Sequence, residues 1–182
     1  MEVAVEKKFT GYEEKDGNFI KWPESPISKY GQYKLRPWQE TIEQELKQQD
    51  DRQILIVQDK QSGNGKSVLA RYLEATGQAD VCPVISDEYN DYSSYCLDNP
   101  QPAYIFDLPR ATSIKRRSAM WMGIEQVKNG LLYEKRYRPR KMWINPPKIL
   151  IFTNDEIPWD LLSKDRWNAY KLEDGTLYTI KP

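Results

Sequence analysis

Short apolar runs alternate with amphipathic stretches along most of this chain. Apolar residues at helical spacing predict helices that begin at Pro37 and at Ser67, and a further helix over Ser118–Asn129. Strands alternating with helices favour an α/β fold with a central, mostly parallel sheet. Three runs rich in β-branched and aromatic residues predict its buried strands: Gln53–Val57, Ala103–Asp107 and Lys148–Phe152.

Weaker signals lie between these elements. The segment Val81–Ile85 contains a proline, which predicts a short strand at an edge of the sheet. The polar, tyrosine-rich segment Asp87–Pro100 predicts a loop. The basic and aromatic segment Leu131–Trp143 predicts one hairpin, and the Asp174-Gly175 turn predicts a second near the end of the chain.

The length of the chain and the positions of its proline and glycine residues predict the domain organisation. The chain has 182 residues, enough for one domain with a small appendage. Proline and glycine interrupt residues 1–34, which we expect to form a linker or arm. Residues 35–50 are expected to form a helical oligomerisation segment, and residues 51–182 the main domain.

Composition excludes several classes of site. The chain has no histidine, so it cannot build imidazole-based zinc, triad or nuclease centres in their usual form. Cys82 and Cys96 fit neither a metal site nor a disulfide framework, which favours an intracellular location. No apolar run of about 18 residues occurs, so we expect no membrane span. Acidic and basic residues balance at 27 each, so net charge does not point to nucleic acid.

The sequence SGNGKS, residues 62–67, lies between a predicted strand and a predicted helix, which is the setting of a phosphate-binding loop. Lys66 can reach the β- and γ-phosphates of ATP, and the Ser67 hydroxyl can bind Mg²⁺. The complete motif has glycine at position 60, whereas this chain has Lys60, so the loop closes only if that residue keeps a negative φ. The alternative is an ordinary turn before a helix. The residues assigned to nucleotide binding are Gly63, Asn64, Gly65, Lys66 and Ser67.

Three polar residues follow in the order that a P-loop ATPase needs. Asp107 ends a predicted strand and is the candidate for holding the metal; the alternative is a turn residue. Asn154 follows the next buried strand, and its amide can donate to phosphate and accept from water. Arg166 is the candidate arginine finger for a neighbouring subunit, with a surface ion pair as the alternative. No general base is identified.

Four motifs in this order (GNGKS, IFDLPR, ILIFTN and SKDRW) resemble the superfamily 3 helicase domain of viral Rep replication initiators. The similar Reps are those of nanoviruses, alphasatellites and circoviruses, whose genomes are circular single-stranded DNA. Leu35–Gln39 (LRPWQ) is similar to the start of that domain, and the match spans about residues 35–172. Without histidine, the chain is expected to lack the N-terminal endonuclease of those proteins.

The resemblance implies an AAA+-like P-loop fold and a homo-oligomeric ring, usually a hexamer, that uses ATP and Mg²⁺ to move single-stranded DNA through its pore. It implies that Lys66 and Ser67 bind nucleotide and metal, and that Asp107 holds the metal. It also implies that Asn154 is the sensor and Arg166 the finger. In a eukaryotic host, the location would be the nucleus.

The segment Lys128–Lys148 is rich in basic and aromatic residues, which suits contact with unpaired DNA strands. The alternative is a solvated charged surface. The resemblance implies a pore hairpin here, with Lys135 as the strongest single candidate. The residues assigned to DNA binding are Lys128, Lys135, Arg136, Tyr137 and Arg138.

Three function classes stay open. The leading hypothesis is a DNA-stimulated ATPase motor. Lys60, together with Leu108 where many ATPases carry a second acid, favours a non-catalytic DNA-binding assembly module. A small-molecule P-loop kinase is the third class, and the motifs around Asn154 and Arg166 argue against it.

Overall fold

A computed structural model describes residues 12–15, 18–21, 27–83, 90–110, 113–136 and 138–182. The strands found there are β1 (Tyr12–Lys15), β2 (Asn18–Lys21), β3 (Ile54–Gln58), β4 (Asp80–Cys82), β5 (Ala103–Leu108), β6 (Leu131–Glu134), β7 (Arg140–Trp143), β8 (Lys148–Thr153), β9 (Trp167–Glu173) and β10 (Thr176–Ile180). The helices are α1 (Pro37–Gln48), α2 (Lys66–Ala75), α3 (Asn90–Asp98) and α4 (Ile114–Lys128), with short 3₁₀ turns at Ser28–Gln32 and Lys164–Arg166.

Six strands form the central sheet in the order β10-β9-β3-β8-β5-β4. Five run parallel, and only β10 runs antiparallel to its neighbour β9. This arrangement confirms the predicted α/β fold with a mostly parallel sheet. The short strand β4 lies at the edge, as predicted, although it ends at Cys82, before the proline.

Helices cover both faces of the sheet, because successive side chains of a strand point to opposite faces. Leu55 and Val57 face the side on which α1 and α2 pack. Ile54 and Ile56 face the side of α3 and α4. All four side chains are fully buried. Burial on both faces explains why the strands are continuous apolar runs rather than alternating ones.

Helix α1 begins at Pro37, as predicted, and packs on the sheet of its own molecule. Trp38, Ile42 and Leu46 form its buried stripe. The boundaries at residues 34 and 50 stay predictions. Strands β1 and β2 pair antiparallel, which the linker prediction did not include.

The prediction of a loop over Asp87–Pro100 was wrong, because α3 occupies most of it. The buried face of α3 includes Ser93, which is fully buried. Ser93 Oγ accepts a hydrogen bond of 2.7 Å from the Tyr133 amide of β6. A packed face containing serine and cysteine gives little apolar periodicity, so the helix is hard to recognise from sequence.

The predicted hairpin after α4 is formed by β6 and β7. Gly130 closes its base with a φ of 79°, and its carbonyl accepts a 2.8 Å hydrogen bond from the Ile144 amide. A Cβ at this position would meet the Ile144 carbonyl oxygen at 2.4 Å, so only glycine fits. Among the helices in the described ranges, none combines the length and apolar character needed to cross a bilayer.

Candidate nucleotide site

The candidate site lies where three adjacent parallel strands end at the same edge of the sheet. Lys66 opens α2 after β3, Asn154 directly follows β8, and Asp107 is the penultimate residue of β5. Lys66 Nζ donates a hydrogen bond of 2.9 Å to Asn154 Oδ1. The fold therefore brings two of the predicted residues into contact across 88 positions of sequence. The carboxyl edge of a parallel sheet is the usual place for ligands in α/β folds.

The loop between β3 and α2 turns through residues with positive φ, namely Ser62 at 64°, Gly63 at 78° and Gly65 at 97°. Lys60 is not among the residues with positive φ, so the condition set for closing the loop without the first glycine is met. The Lys60 ammonium instead forms an ion pair with Glu156 at the surface.

Asp59, which the sequence analysis missed, is the centre of this loop. Its carboxylate is fully buried and accepts a 2.8 Å hydrogen bond from Lys66 Nζ. Its other oxygen accepts hydrogen bonds from the amides of Gln61 and Ser62, both at 3.1 Å, and from the Asn64 side chain at 3.0 Å. An aspartate opening a polar loop is a known signal for such a turn, but sequence gives no sign of the Lys66 contact.

The ionisation of Asp59 follows from these contacts. Burial acts to raise the pKa of its carboxyl group, but the hydrogen bonds from Lys66 and Asn64 outweigh burial and hold the pKa below its usual value. The group is therefore an anion at neutral pH. In this conformation, Lys66 already has a carboxylate partner where a nucleotide would supply phosphate.

Asp107 has a pKa that is shifted in the opposite direction to that of Asp59. Its side chain reaches the surface, yet neighbouring protein atoms withdraw enough water to raise the pKa of its carboxyl group, and the Lys66 ammonium opposes this rise. The described residues contain no cluster of three or more His, Cys, Asp or Glu side chains that would hold a metal unaided. One carboxylate and the exposed Ser67 hydroxyl fit Mg²⁺, which usually completes its coordination with substrate phosphates and water.

Arg166 is not displayed to a neighbouring subunit in this conformation. Its side chain is 7% exposed. Its Nη2 donates a 2.6 Å hydrogen bond to Asn129 Oδ1, and its Nε lies 3.4 Å from Glu125. The alternative of a surface ion pair with Asp165 or Glu173 is not observed: Asp165 pairs with Arg52, and Glu173 pairs with Lys171, both at 2.5 Å. The finger role stays a prediction that needs the contacts of Arg166 to open.

Lys128 is placed differently from what DNA contact requires. It is 1% exposed, and its ammonium donates to Gln49 Oε1, to the Asp50 carbonyl and to the Pro147 carbonyl at 2.9–3.0 Å. Burial lowers its pKa to about 8. The assignment of Lys128 to DNA binding is therefore wrong for this conformation. The side chain joins the end of α4 to the start of the sheet and is too buried to contact phosphate.

Three of the other predicted DNA-binding residues are described by the structure and lie between β6 and β7. Lys135 and Arg138 are exposed, as is Arg136, which forms an ion pair with Asp91 of α3. Tyr137 falls outside the described residues. Trp143, one of the aromatic residues that the sequence places among the basic ones, is 70% exposed and lines an open surface pocket of about 410 Å³ together with residues of α4. An aromatic side chain this exposed is available for stacking.

No protein-family model matches the chain. It is 31% identical over 137 residues to Para-Rep C6 of Subterranean clover stunt C6 alphasatellite, covering 74% of this chain and 46% of that protein. It is 28% identical over 137 residues to Para-Rep C3 of Milk vetch dwarf C3 alphasatellite, with the same coverage. The master replication protein of Milk vetch dwarf virus (isolate N) is 24% identical over 160 residues, covering 88% of this chain and 50% of the viral protein.

Among solved structures, the apo A form of the C-terminal region of NrS-1 superposes with a TM-score of 0.42 and 16% identity, covering 88% of this chain and 44% of that one. The chain spans about half the length of the viral and satellite relatives that it matches. The order of the motifs, the contact between Lys66 and Asn154 and these sequence matches agree. Over the region they share, this chain is a homologue of the replication proteins of nanoviruses and their alphasatellites.

Proposed function

We propose that this chain is the ATP-hydrolysing helicase part of a replication-associated protein. The observation that carries the proposal is the hydrogen bond between Lys66 and Asn154, formed beside Asp107 at the ends of three adjacent parallel strands. A lysine at a helix N-terminus, a strand-end amide and a carboxylate are the groups that a phosphoryl-transfer site needs. The relatives named Para-Rep and master replication protein support a role in DNA replication.

Each residue then has one task. Lys66 exchanges its Asp59 partner for phosphate oxygens, and the amides of Gly63 to Gly65 bind phosphate at the positive end of α2. Ser67 and Asp107 hold Mg²⁺, which neutralises charge on the phosphates. Asn154 orients the attacking water and senses the terminal phosphate. Because Leu108 follows Asp107, the group that accepts the proton from water is left unassigned.

Assembly into a ring, by the family resemblance a hexamer, would complete the site. Arg166 acts as the finger only after its guanidinium leaves Asn129 and Glu125. Hydrolysis is therefore expected to depend on contact between subunits. Single-stranded DNA would pass the β6–β7 hairpin, where Lys135 and Arg138 meet phosphates and Trp143 stacks on bases. In a eukaryotic host, this function would place the protein in the nucleus.

The test is phosphate release from Mg-ATP over a range of protein concentrations, with and without single-stranded oligothymidylate. We expect a rate per molecule that rises with protein concentration and with DNA, and that disappears in Lys66→Ala. Lys60→Ala is the matched control, because it removes a nearby but exposed ammonium that pairs with Glu156. Phosphate release equal to that of Lys66→Ala under all conditions would rule out the motor.

A second candidate function is a nucleotide-responsive DNA-binding module without hydrolysis. The contacts of Lys66 favour this second function, because its ammonium is already bonded to the Asp59 carboxylate, whereas in an ATPase the same lysine binds phosphate. This function predicts that Mg-ATP raises the thermal midpoint or the assembled mass, while no phosphate is released. Light scattering and phosphate release on one sample separate the two functions.

A further inference from the structure

The phosphate loop is held from outside by the first residues of α1. Arg36 Nη1 donates a 3.1 Å hydrogen bond to the Asn64 carbonyl, and Gln39 Nε2 donates a 2.9 Å hydrogen bond to the Gly65 carbonyl. These two carbonyls belong to consecutive residues just before Lys66. The bonds span 28 and 26 positions of sequence, so they join two elements that local folding does not bring together.

The same two residues cap α1. Gln39 Oε1 accepts a 2.8 Å hydrogen bond from the Arg36 amide, so one Gln39 side chain closes the helix N-terminus with its oxygen and holds the loop with its nitrogen. Gln39 is fully buried, and its neighbour Trp38 is 3% exposed. A side chain held at both ends and enclosed by protein is a fixed support and not a mobile surface group.

The loop fits closely against this support. Gly65 has a φ of 97°, and a Cβ built on it would approach Gln39 Nε2 at 3.2 Å and Arg36 Nη1 at 3.6 Å. Gly65 is thus required both for its backbone conformation and for the approach of α1. Its carbonyl also accepts the Leu69 amide in the first turn of α2, so Gln39 and Leu69 share one acceptor.

We propose that Arg36 and Gln39 are positioning residues that fix the phosphate loop in the conformation that receives nucleotide. They orient the carbonyls on the outer side of the loop, which directs the amides on its inner side toward phosphate. Pre-organisation of this kind saves the cost of ordering the loop on binding. The consequence for nucleotide rests on the proposed function, whereas the consequence for the loop itself does not.

The decisive variant is Gln39→Glu. It has nearly the same shape and keeps an oxygen to accept from the Arg36 amide, but an ionised carboxylate cannot donate to the Gly65 carbonyl. Glutamate is also the favoured residue at this position of a helix cap, so α1 is retained. Arg36→Ala removes the second bond at an exposed position, and Arg36→Lys restores a donor there.

Two measurements are made on each variant of the full chain. The first is hydrogen–deuterium exchange of the peptide that contains residues 59–67, without nucleotide. We expect about tenfold faster exchange in Gln39→Glu. The urea midpoint should also fall, because the new carboxylate is enclosed by protein and faces the Gly65 carbonyl. Arg36→Ala, which removes a bond at an exposed position, should loosen the same peptide with the urea midpoint close to that of wild type. The second is the Kd for Mg-ATP, expected to rise about tenfold in Gln39→Glu and Arg36→Ala and to recover largely in Arg36→Lys.

The outcomes separate the two proposals. Unchanged exchange of the loop in Gln39→Glu overturns the positioning role, whatever the nucleotide affinity. Faster exchange with unchanged Kd overturns its link to nucleotide binding. If wild type binds no Mg-ATP but the loop loosens in Gln39→Glu, the proposed function fails while the positioning of the loop by α1 stands.

Discussion

Replacing Asp59 by asparagine tests whether its carboxylate competes with nucleotide phosphate for Lys66. The amide introduced by Asp59→Asn keeps an oxygen for the backbone N–H groups of Gln61 and Ser62, which preserves the turn. The change removes the negative charge that lies 2.8 Å from Lys66 Nζ. The substitution thus separates the loop-shaping role of this side chain from its charge.

The magnitude follows from the geometry at Lys66. Two acceptors bonded to the same ammonium lie roughly 5 Å apart, since N–H···O bonds of normal length diverge tetrahedrally. Two unit negative charges at that separation repel by about 3 kcal/mol at an effective dielectric constant near 20. Allowing for Mg²⁺ and solvent, we expect Asp59→Asn to tighten Mg-ATP binding by about 1.4–3 kcal/mol, which is roughly 10- to 100-fold.

Stability without nucleotide should change in the opposite direction. Breaking a buried ion pair costs up to about 3–5 kcal/mol when one charge is stranded. Lys66 keeps its bond to Asn154, so we expect a loss nearer to about 2 kcal/mol. The pKa of Asp59 is lowered in the folded chain, so wild type holds this extra stability above the ordinary carboxyl pKa and loses it as pH falls through the lowered value.

Isothermal titration with Mg-ATP and urea unfolding without it measure both effects. Glu156→Gln is the matched control, because it also removes a carboxylate near the loop, but one whose side chain is 70% exposed. We expect its affinity to stay within about twofold of wild type. A folded Asp59→Asn protein that binds Mg-ATP more weakly than wild type would refute the reasoning and show that the carboxylate itself serves nucleotide binding.

Three further substitutions test the remaining assignments. Asp107→Asn should lower Mg²⁺-dependent phosphate release about 100-fold or more. Because neighbouring protein atoms withdraw water from Asp107 and raise its pKa, release by wild type should decline on acidification at a higher pH than for a fully hydrated aspartate, which a pH–rate profile checks. Lys128→Met should lower the free energy of unfolding by about 3 kcal/mol, measured in urea, without weakening oligothymidylate binding, because three acceptors lose their donor. The pKa of Lys128 is about 8 in the folded protein and 10.5 in the unfolded chain, so between these two pH values only the unfolded chain holds the proton. The free energy of unfolding of wild type should therefore rise with pH over this range, relative to that of Lys128→Met. Trp143→Ala should weaken oligothymidylate binding about tenfold in a fluorescence titration while leaving the urea midpoint unchanged, since this side chain is largely exposed.

Most of the sheet could be predicted because its strands are buried on both faces. The runs around Leu55, Ile105 and Leu150 are apolar without interruption. Short runs of this kind between polar loops are typical of buried strands. Helix α3 escaped prediction because its packed face includes Ser93 and Cys96, and because Ser93 is held by a hydrogen bond from the Tyr133 amide of the hairpin. This helix depends on packing between elements that are distant in sequence, and the local pattern of apolar residues does not reveal such packing.

In the candidate site, too, some features could be predicted from sequence and others could not. Lys66 and Asn154 were predicted together, because parallel strands bring their carboxyl ends to one edge. The partners of charged side chains were not predictable. Lys128 belongs to a basic run that is typical of DNA contact, and only the fold shows that its ammonium is surrounded by carbonyl and amide oxygens. Arg166 likewise has an internal partner, Asn129, that no spacing indicates.

Helix α4 has a mechanical consequence. Near its start, Arg117 lies 4.0 Å from Asp155, the residue after Asn154, and just past its end Gly130 is fastened to the base of the β6–β7 hairpin. Its 15 residues make a rod about 22 Å long. Lys128 fastens its far end to the start of the sheet with three hydrogen bonds, and apolar side chains between the two ends are buried in the core. The helix is therefore a rigid strut that fixes the position of the hairpin base relative to the edge of the sheet at which Lys66 and Asn154 meet.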